Sequence, residues 1–250
     1  MGRGIKGRAE PSRSGGRIVT RVHESTERLL SEVARMMAAA EIARATGLFR
    51  VPRIVDVDEQ NRRIDIEYIE EFRSVSALKL TPDATAELLY RVGLVLRTIH
   101  QGHWSPGTKS ALPLFHGDYD LHNVGVDGAG QLVVLDWDSA PELADVPLSD
   151  QQRDIGLLQF SIVTSYVRRA YLFGRIRVFL LSALRGYLDD DPDGGALQEH
   201  IAHGKAVTTH LARPSCLPRV SVARKSYLYA IRFTAMGLMN LAHATARVVR

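Results

Sequence analysis

Two short apolar runs, Val124-Gly125-Val126 and Leu132-Val133-Val134-Leu135, flank the turn Asp127-Gly128-Ala129-Gly130, and no other feature constrains the fold as tightly. The pattern predicts a β-hairpin. Asn123 stands just before the first strand and Asp136 just after the second, so antiparallel pairing brings an amide oxygen and a carboxylate to one end. That pair suits a hard cation such as Mg²⁺, which takes few protein ligands and completes its shell with phosphate oxygens and water. Asp118 lies on the loop entering the hairpin, where a carboxylate can accept a hydroxyl proton.

The rest of the chain divides around this hairpin. Residues 1–16 carry the glycine, serine and basic content of a flexible arm. The β-branched run at residues 17–22 predicts a strand. A helix follows, capped by Ser25 or Thr26 and ended by Gly47, with Leu29, Leu30, Val33, Met36, Met37 and Ala40 at helical spacing. Residues 53–57 and 63–69 predict a strand pair around Asp58-Glu59-Gln60-Asn61. In the second run Ile64, Ile66 and Tyr68 alternate with Arg63, Asp65 and Glu67, the mark of a half-buried strand. A helix is expected from Pro82 to His100, and further helices near 151–171, 175–188, 196–211 and 219–249. The expectation is an α+β, two-lobed chain: the arm at 1–16, a strand-rich N-lobe at 17–72, and a mainly helical C-lobe at 73–250.

Composition excludes several classes. The net charge of +4 is too mild to argue for nucleic acid, and a nucleic-acid-binding arm at residues 1–21 rests on basic charge alone. One cysteine, Cys216, excludes an intramolecular disulfide framework and a cysteine-based zinc site, in keeping with a cytoplasmic protein. No apolar run approaches the roughly 18 to 20 residues that span a bilayer.

His116-Gly117-Asp118 with Asn123 fits H-G-D-x-x-x-x-N, and Leu135-Asp136-Trp137-Asp138 fits the element hydrophobic-D-W/F-D/E. Together they resemble the aminoglycoside phosphotransferase and choline kinase branch of the protein-kinase-like fold. The resemblance covers about residues 17–160. It implies an ATP-dependent small-molecule kinase with Mg²⁺: Asp118 as catalytic base, Asn123 and Asp136 as metal ligands, His116 as a brace for the loop. Asp138 is either a carboxylate behind the metal ligands or a structural acceptor. Upstream, Glu32 occupies the place of the helix glutamate that pairs with a phosphate-holding strand lysine. The strand Ile66-Glu67-Tyr68-Ile69-Glu70 resembles the hinge whose backbone contacts adenine, with Glu67 and Ile69 as its nucleotide-binding residues, although an ordinary sheet strand reads the same way. Asp154, in Arg153-Asp154-Ile155-Gly156, is expected to be structural.

The pattern is broken in two places. Arg21 stands where the family carries its lysine, and its planar fork is not interchangeable with a compact ammonium. Only residues 1–16 precede that strand, where kinases place two strands and a glycine-rich loop. Gly2-Arg3-Gly4-Ile5-Lys6-Gly7 fits G-x-G-x-x-G literally, but no strand is predicted before it. The resemblance implies a small-molecule hydroxyl acceptor. Arg168, Arg169, Arg175 and Arg177, in the region that helps form the family's acceptor site, favour a saccharide or anionic metabolite over an aminoglycoside. A weak or inactive pseudokinase acting as a nucleotide-binding or regulatory module is the alternative. His200, His203 and His210 are expected on a solvated helix face rather than in a metal cluster.

Overall fold

Four antiparallel strands open the fold in the order β1-β2-β4-β3, with β1 at Ala9–Pro11, β2 at Arg17–Val22, β3 at Ile54–Asp58 and β4 at Arg63–Glu67. The computed structural model describes residues 9–11, 17–105, 110–138, 143–166, 175–188 and 195–211. The glycine motif at 2–7, Arg168, Arg169, Cys216 and the helix expected at 219–249 lie outside the described residues. Ala9 aligns with Val19 and Pro11 with Arg17, so part of the segment expected as an arm adds a strand to the sheet.

Helix α1, Thr26–Thr46, connects β2 to β3. Ser25 caps it through its side-chain oxygen, which accepts from the Arg28 amide at 3.2 Å. Gly47 ends it in the left-handed conformation at φ +67°, donating its N–H to Ala43 O. Strand β4 is more deeply buried than its alternation predicts. Asp65, on its polar side, is covered because Thr20 Oγ1 donates to its carboxylate at 2.7 Å.

The expected hairpin forms part of a second sheet, β5-β8-β9, from Arg73–Ser74, Val124–Val126 and Leu132–Val134. Two two-residue strands, β6 (His103–Trp104) and β7 (Leu112–Pro113), make a small ribbon beside it. Four helices complete the described chain: α2 at Pro82–His100, α3 at Asp150–Tyr166, α4 at Ile176–Leu188 and α5 at Gly195–Leu211.

One apolar core joins the halves, running from Leu29, Met36 and Ile64 through Val92, Leu96 and Leu121 to Ile162 and Phe179. Within it α2 and α4 approach backbone to backbone. A Cβ on Gly93 would lie 1.9 Å from Ala183 O, and one on Gly186 1.9 Å from Tyr90 O, so both positions require glycine for contact this close. That approach carries Tyr187 of α4 to the C-terminal end of α2, where His100 sits.

Candidate active site

The loop between β7 and β8 is held by its own backbone amides. The carboxylate of Asp154 on α3 is fully buried, and its Oδ2 accepts the His116 amide at 2.6 Å while Oδ1 accepts the Gly117 amide at 2.8 Å. Gly117 has φ +98°, a conformation that disfavours any side chain, and it turns two successive amides into one carboxylate. Burial alone would raise the Asp154 carboxyl. The hydrogen bond from His100, the nearby imidazoles of His100 and His116, and the His116 amide instead hold it below its ordinary value.

His116 braces the same loop from the other side. Its Nδ1 accepts from the Asp118 amide at 3.1 Å, so in the neutral ring Nε2 carries the proton and donates to Leu135 O at 2.8 Å. The ring packs tilted against Trp137 at 4.7 Å and meets Tyr119 edge-on at 5.4 Å, while the Tyr119 hydroxyl donates to Val92 O. The loop entering the hairpin and the segment leaving it are thus tied through one imidazole. Complete burial lowers its pKa below the ordinary 6.5.

Asn123 and Asp118 meet directly. The Asn123 amide group donates to Asp118 O at 2.9 Å and to Asp118 Oδ2 at 3.1 Å. Asn123 O accepts from the Leu135 amide at 2.8 Å, which sets Asp136 at the same end of the hairpin. Asp136 is itself left-handed, with φ +59°. A non-glycine residue held there costs about 1–3 kcal/mol, a strain that clusters at functional sites.

Three arginines grip this end of the hairpin from β2 and α1. Arg21 NH1 lies 2.7 Å from Glu32 Oε1 and 2.9 Å from Asp136 Oδ1. Arg28 NH2 makes contacts of 2.9 and 2.8 Å to both oxygens of Asp138. Arg35 NH1 donates to His116 O at 2.8 Å. Glu32 is completely buried, not an exposed helix charge. His23 Nε2 lies 2.9 Å from its Oε2, out of line for a hydrogen bond. Burial works against its ionised form, but His23, Arg21 and Arg35 together hold its carboxyl below the ordinary value.

Glu67 and Ile69, expected in a hinge, stand apart from this cluster. The Glu67 amide donates to Arg53 O, and its carboxylate contacts Arg50 and the Arg53 amide, so its side chain is committed to the sheet. Ile69 is buried and makes no backbone hydrogen bond among the described residues. A cleft of about 410 Å³ opens beside it, lined by Arg17, Arg50, Arg53, Glu67, Glu70 and Asp127 among others, and reaches none of Asp118, Asn123 and Asp136.

His203 and His210 are buried rather than solvated. Among the described residues no three His, Cys, Asp or Glu side chains converge as a metal cage. The donor set that fits a cation is sparser: the Asp136 carboxylate, 46 % exposed, with the Asn123 amide oxygen, a set suited to a Mg²⁺ that keeps phosphate and water ligands. Arg28, Arg35 and His100 have no place in the sequence reading, although Arg28, Glu32 and Arg35 fall on one face of α1 at i, i+4 and i+7.

The buried histidines give stability a pH dependence of definite sign. Burial, named first for each, lowers the pKa of His116, His200 and His203 in the fold. The unfolded chain then binds protons below about pH 6.5 that the folded chain does not, so stability is full above that pH and falls below it. Glu32 and Asp154, also lowered, extend the loss to more acid pH in the same direction. A thermal midpoint that falls steadily between about pH 7 and pH 5 is expected, and a flat profile contradicts this account.

Strand order, the helix between β2 and β3, the hairpin with its two flanking loops and the helical remainder define the protein-kinase-like fold. The chain is similar over 99% of its length to a choline/ethanolamine kinase family protein from Mesorhizobium loti, with TM-score 0.53 at 13% identity and 93% of that chain covered. It also aligns with choline kinase LicA from Streptococcus pneumoniae, with TM-score 0.48, 11% identity, and 94% and 88% of the two chains covered. The fold assignment rests on the first of these, and at such identity the likeness is one of fold. Neither a protein-family model nor a curated protein matches the sequence. No helix of the described residues is long and apolar enough to cross a membrane.

Proposed function

We propose that the chain is an ATP-dependent small-molecule kinase that moves the γ-phosphate to a hydroxyl group. The observation that carries this reading is the convergence of Asp118, Asn123 and Asp136 at one end of a hairpin whose loops are held by a buried carboxylate and a buried imidazole.

On this reading Asp118 orients the acceptor hydroxyl and takes its proton, while the Asn123 amide, donating to Asp118, keeps the carboxylate aimed. Asn123 and Asp136 would hold Mg²⁺, which when bound supplies charge to offset that developing on the phosphoryl oxygens. Arg21, anchored by Glu32, offers the rest of its fork to phosphate oxygens. Ile69, with its backbone unpaired by other backbone, is the place for adenine, and Glu67 holds β4 behind it. Residues 17–72 would act as the nucleotide-side lobe and 73–250 as the catalytic and acceptor-side lobe. Most of the barrier reduction would come from positioning and electrostatics. The acceptor is a small-molecule hydroxyl, with a saccharide or anionic metabolite favoured by the basic residues at 168–177.

One observation favours a second reading, a nucleotide-binding module of weak or no turnover. Arg21 lies on Asp136 Oδ1, where the expected metal would sit, so cation binding must compete with a guanidinium. A screen of hydroxyl acceptors followed by ADP release separates the readings. Acceptor-dependent ADP release is the result expected of a kinase; Mg-ATP binding with no release for any sugar, amino alcohol or phosphorylated alcohol overturns it in favour of the module.

A further inference from the structure

We propose that His100 and Tyr187 are positioning residues for the His116-Gly117-Asp118 loop, acting through Asp154. This goes beyond the kinase reading and depends on it only for its consequence on turnover.

Asp154 receives three N–H donors. Two are the loop amides, and the third is His100 Nε2, 3.2 Å from Oδ2. The other ring nitrogen of His100, Nδ1, lies 2.9 Å from the Tyr187 hydroxyl. An ionised carboxylate only accepts, so Nε2 must carry the proton on its side of the ring. In a neutral imidazole Nδ1 is then bare, and the Tyr187 O–H must donate to it. Each member of the chain has one hydrogen-bonding assignment that satisfies all the others: Tyr187 to His100, His100 to Asp154, and the two amides to the same carboxylate.

The carboxylate therefore fixes the tautomer of His100, and the Tyr187 O–H, donating to Nδ1, holds the ring where its Nε2–H keeps Asp154 from rotating off the loop. The tyrosine suits this task because burial pushes its pKa up to about 12, which keeps the hydroxyl protonated. The site is enclosed by groups from every packed helix. Arg97 of α2 acts on Tyr187 electrostatically. His200 of α5 meets the Tyr187 ring edge-on at 5.1 Å, and its Nδ1 lies 3.3 Å from that of His203, which faces Glu199. Among the described residues no other side chain bonds Asp154, so the donor from His100 is not duplicated. The close approach of α2 and α4 at Gly93 and Gly186 brings the tyrosine within reach.

The test uses the full chain and three variants: Tyr187→Phe, His100→Gln and His100→Ala. Tyr187→Phe removes one oxygen and keeps the ring, so the fold is preserved. Nitrogen-15 spectra of the native chain are expected to show His100 protonated at Nε2 with a hydrogen-bonded, unprotonated Nδ1, and Tyr187→Phe to shift the Nδ1 resonance as that hydrogen bond is lost. Amide exchange at His116 and Gly117 is expected to rise about tenfold in Tyr187→Phe, while Val95 and Leu96 in α2 keep their native protection. His100→Gln, which retains an N–H donor, is expected to recover protection lost in His100→Ala. Unchanged loop exchange in Tyr187→Phe overturns the proposal, as does a native His100 that is protonated at Nδ1 and bare at Nε2. An equal rise at every amide also overturns it, since that reports global stability alone. Selective loss of loop protection in a chain that turns over no acceptor with ATP still supports the relay and counts against the kinase reading.

Discussion

Replacing Asp118 with alanine is expected to lower acceptor phosphorylation by about 10²- to 10⁴-fold, the usual contribution of a positioned general base. Mg-ATP binding is expected to stay close to native, because the proposed metal ligands are Asn123 and Asp136 and the phosphate contact is Arg21. The loop should survive the change. Its amides are held by Asp154 and its imidazole by Leu135 O, none of which involves the Asp118 side chain. ADP release with an acceptor found by screening, read beside a Mg-ATP thermal titration, measures both halves. Turnover retained within a few fold would sink the assignment of Asp118 as base.

The largest effect on stability is expected at Asp154. Alanine there leaves two buried backbone amides and the His100 N–H without their acceptor, and an unpaired buried donor costs about 1–3 kcal/mol. Loss of the partner carboxylate in a buried, charge-assisted network commonly costs about 3–5 kcal/mol in all, and a loss in that range is expected for Asp154→Ala. Asp154→Asn keeps one acceptor oxygen but turns an NH₂ group toward an N–H donor, so it should fall between alanine and the native chain. Urea midpoints for the three proteins test the order, and a loss under about 1 kcal/mol for Asp154→Ala contradicts the role given to that carboxylate.

How much of this was legible in the sequence differs from element to element. The hairpin could be read because turn residues at 127–130 separate two apolar runs, and the pairing then fixes which end Asn123 and Asp136 share. Helix α2 was equally plain, from Pro82 at its start to His100 at its end. Of the grip of α1 on the loops only Glu32 was read, because Arg28 and Arg35 resemble ordinary solvated charges until their partners are known. Those partners, Asp138 and the His116 carbonyl, are contributed by other parts of the chain, and local periodicity carries no record of them. The strand at Ala9–Pro11 escaped for a different reason: it lies in a glycine-, serine- and arginine-rich segment whose composition opposes a strand, and its pairing with β2 supplies the order. Asp65 likewise reads as an outward strand position, yet Thr20 on the neighbouring strand covers it.

The central claim is that Asn123 and Asp136 form a Mg²⁺ site that carries ATP, and a thermal-shift titration of the whole chain tests it most directly. At about a hundred times Kd, ligand binding stabilises by about 2.7 kcal/mol, which for a chain of this size raises the midpoint by about 5–10 °C. The account predicts such a rise with ATP and Mg²⁺ together, its loss when EDTA replaces Mg²⁺, and its loss in Asp136→Asn, where asparagine tolerates the left-handed backbone but removes the carboxylate charge. No shift at millimolar Mg-ATP, or a shift of the same size in EDTA, would contradict it.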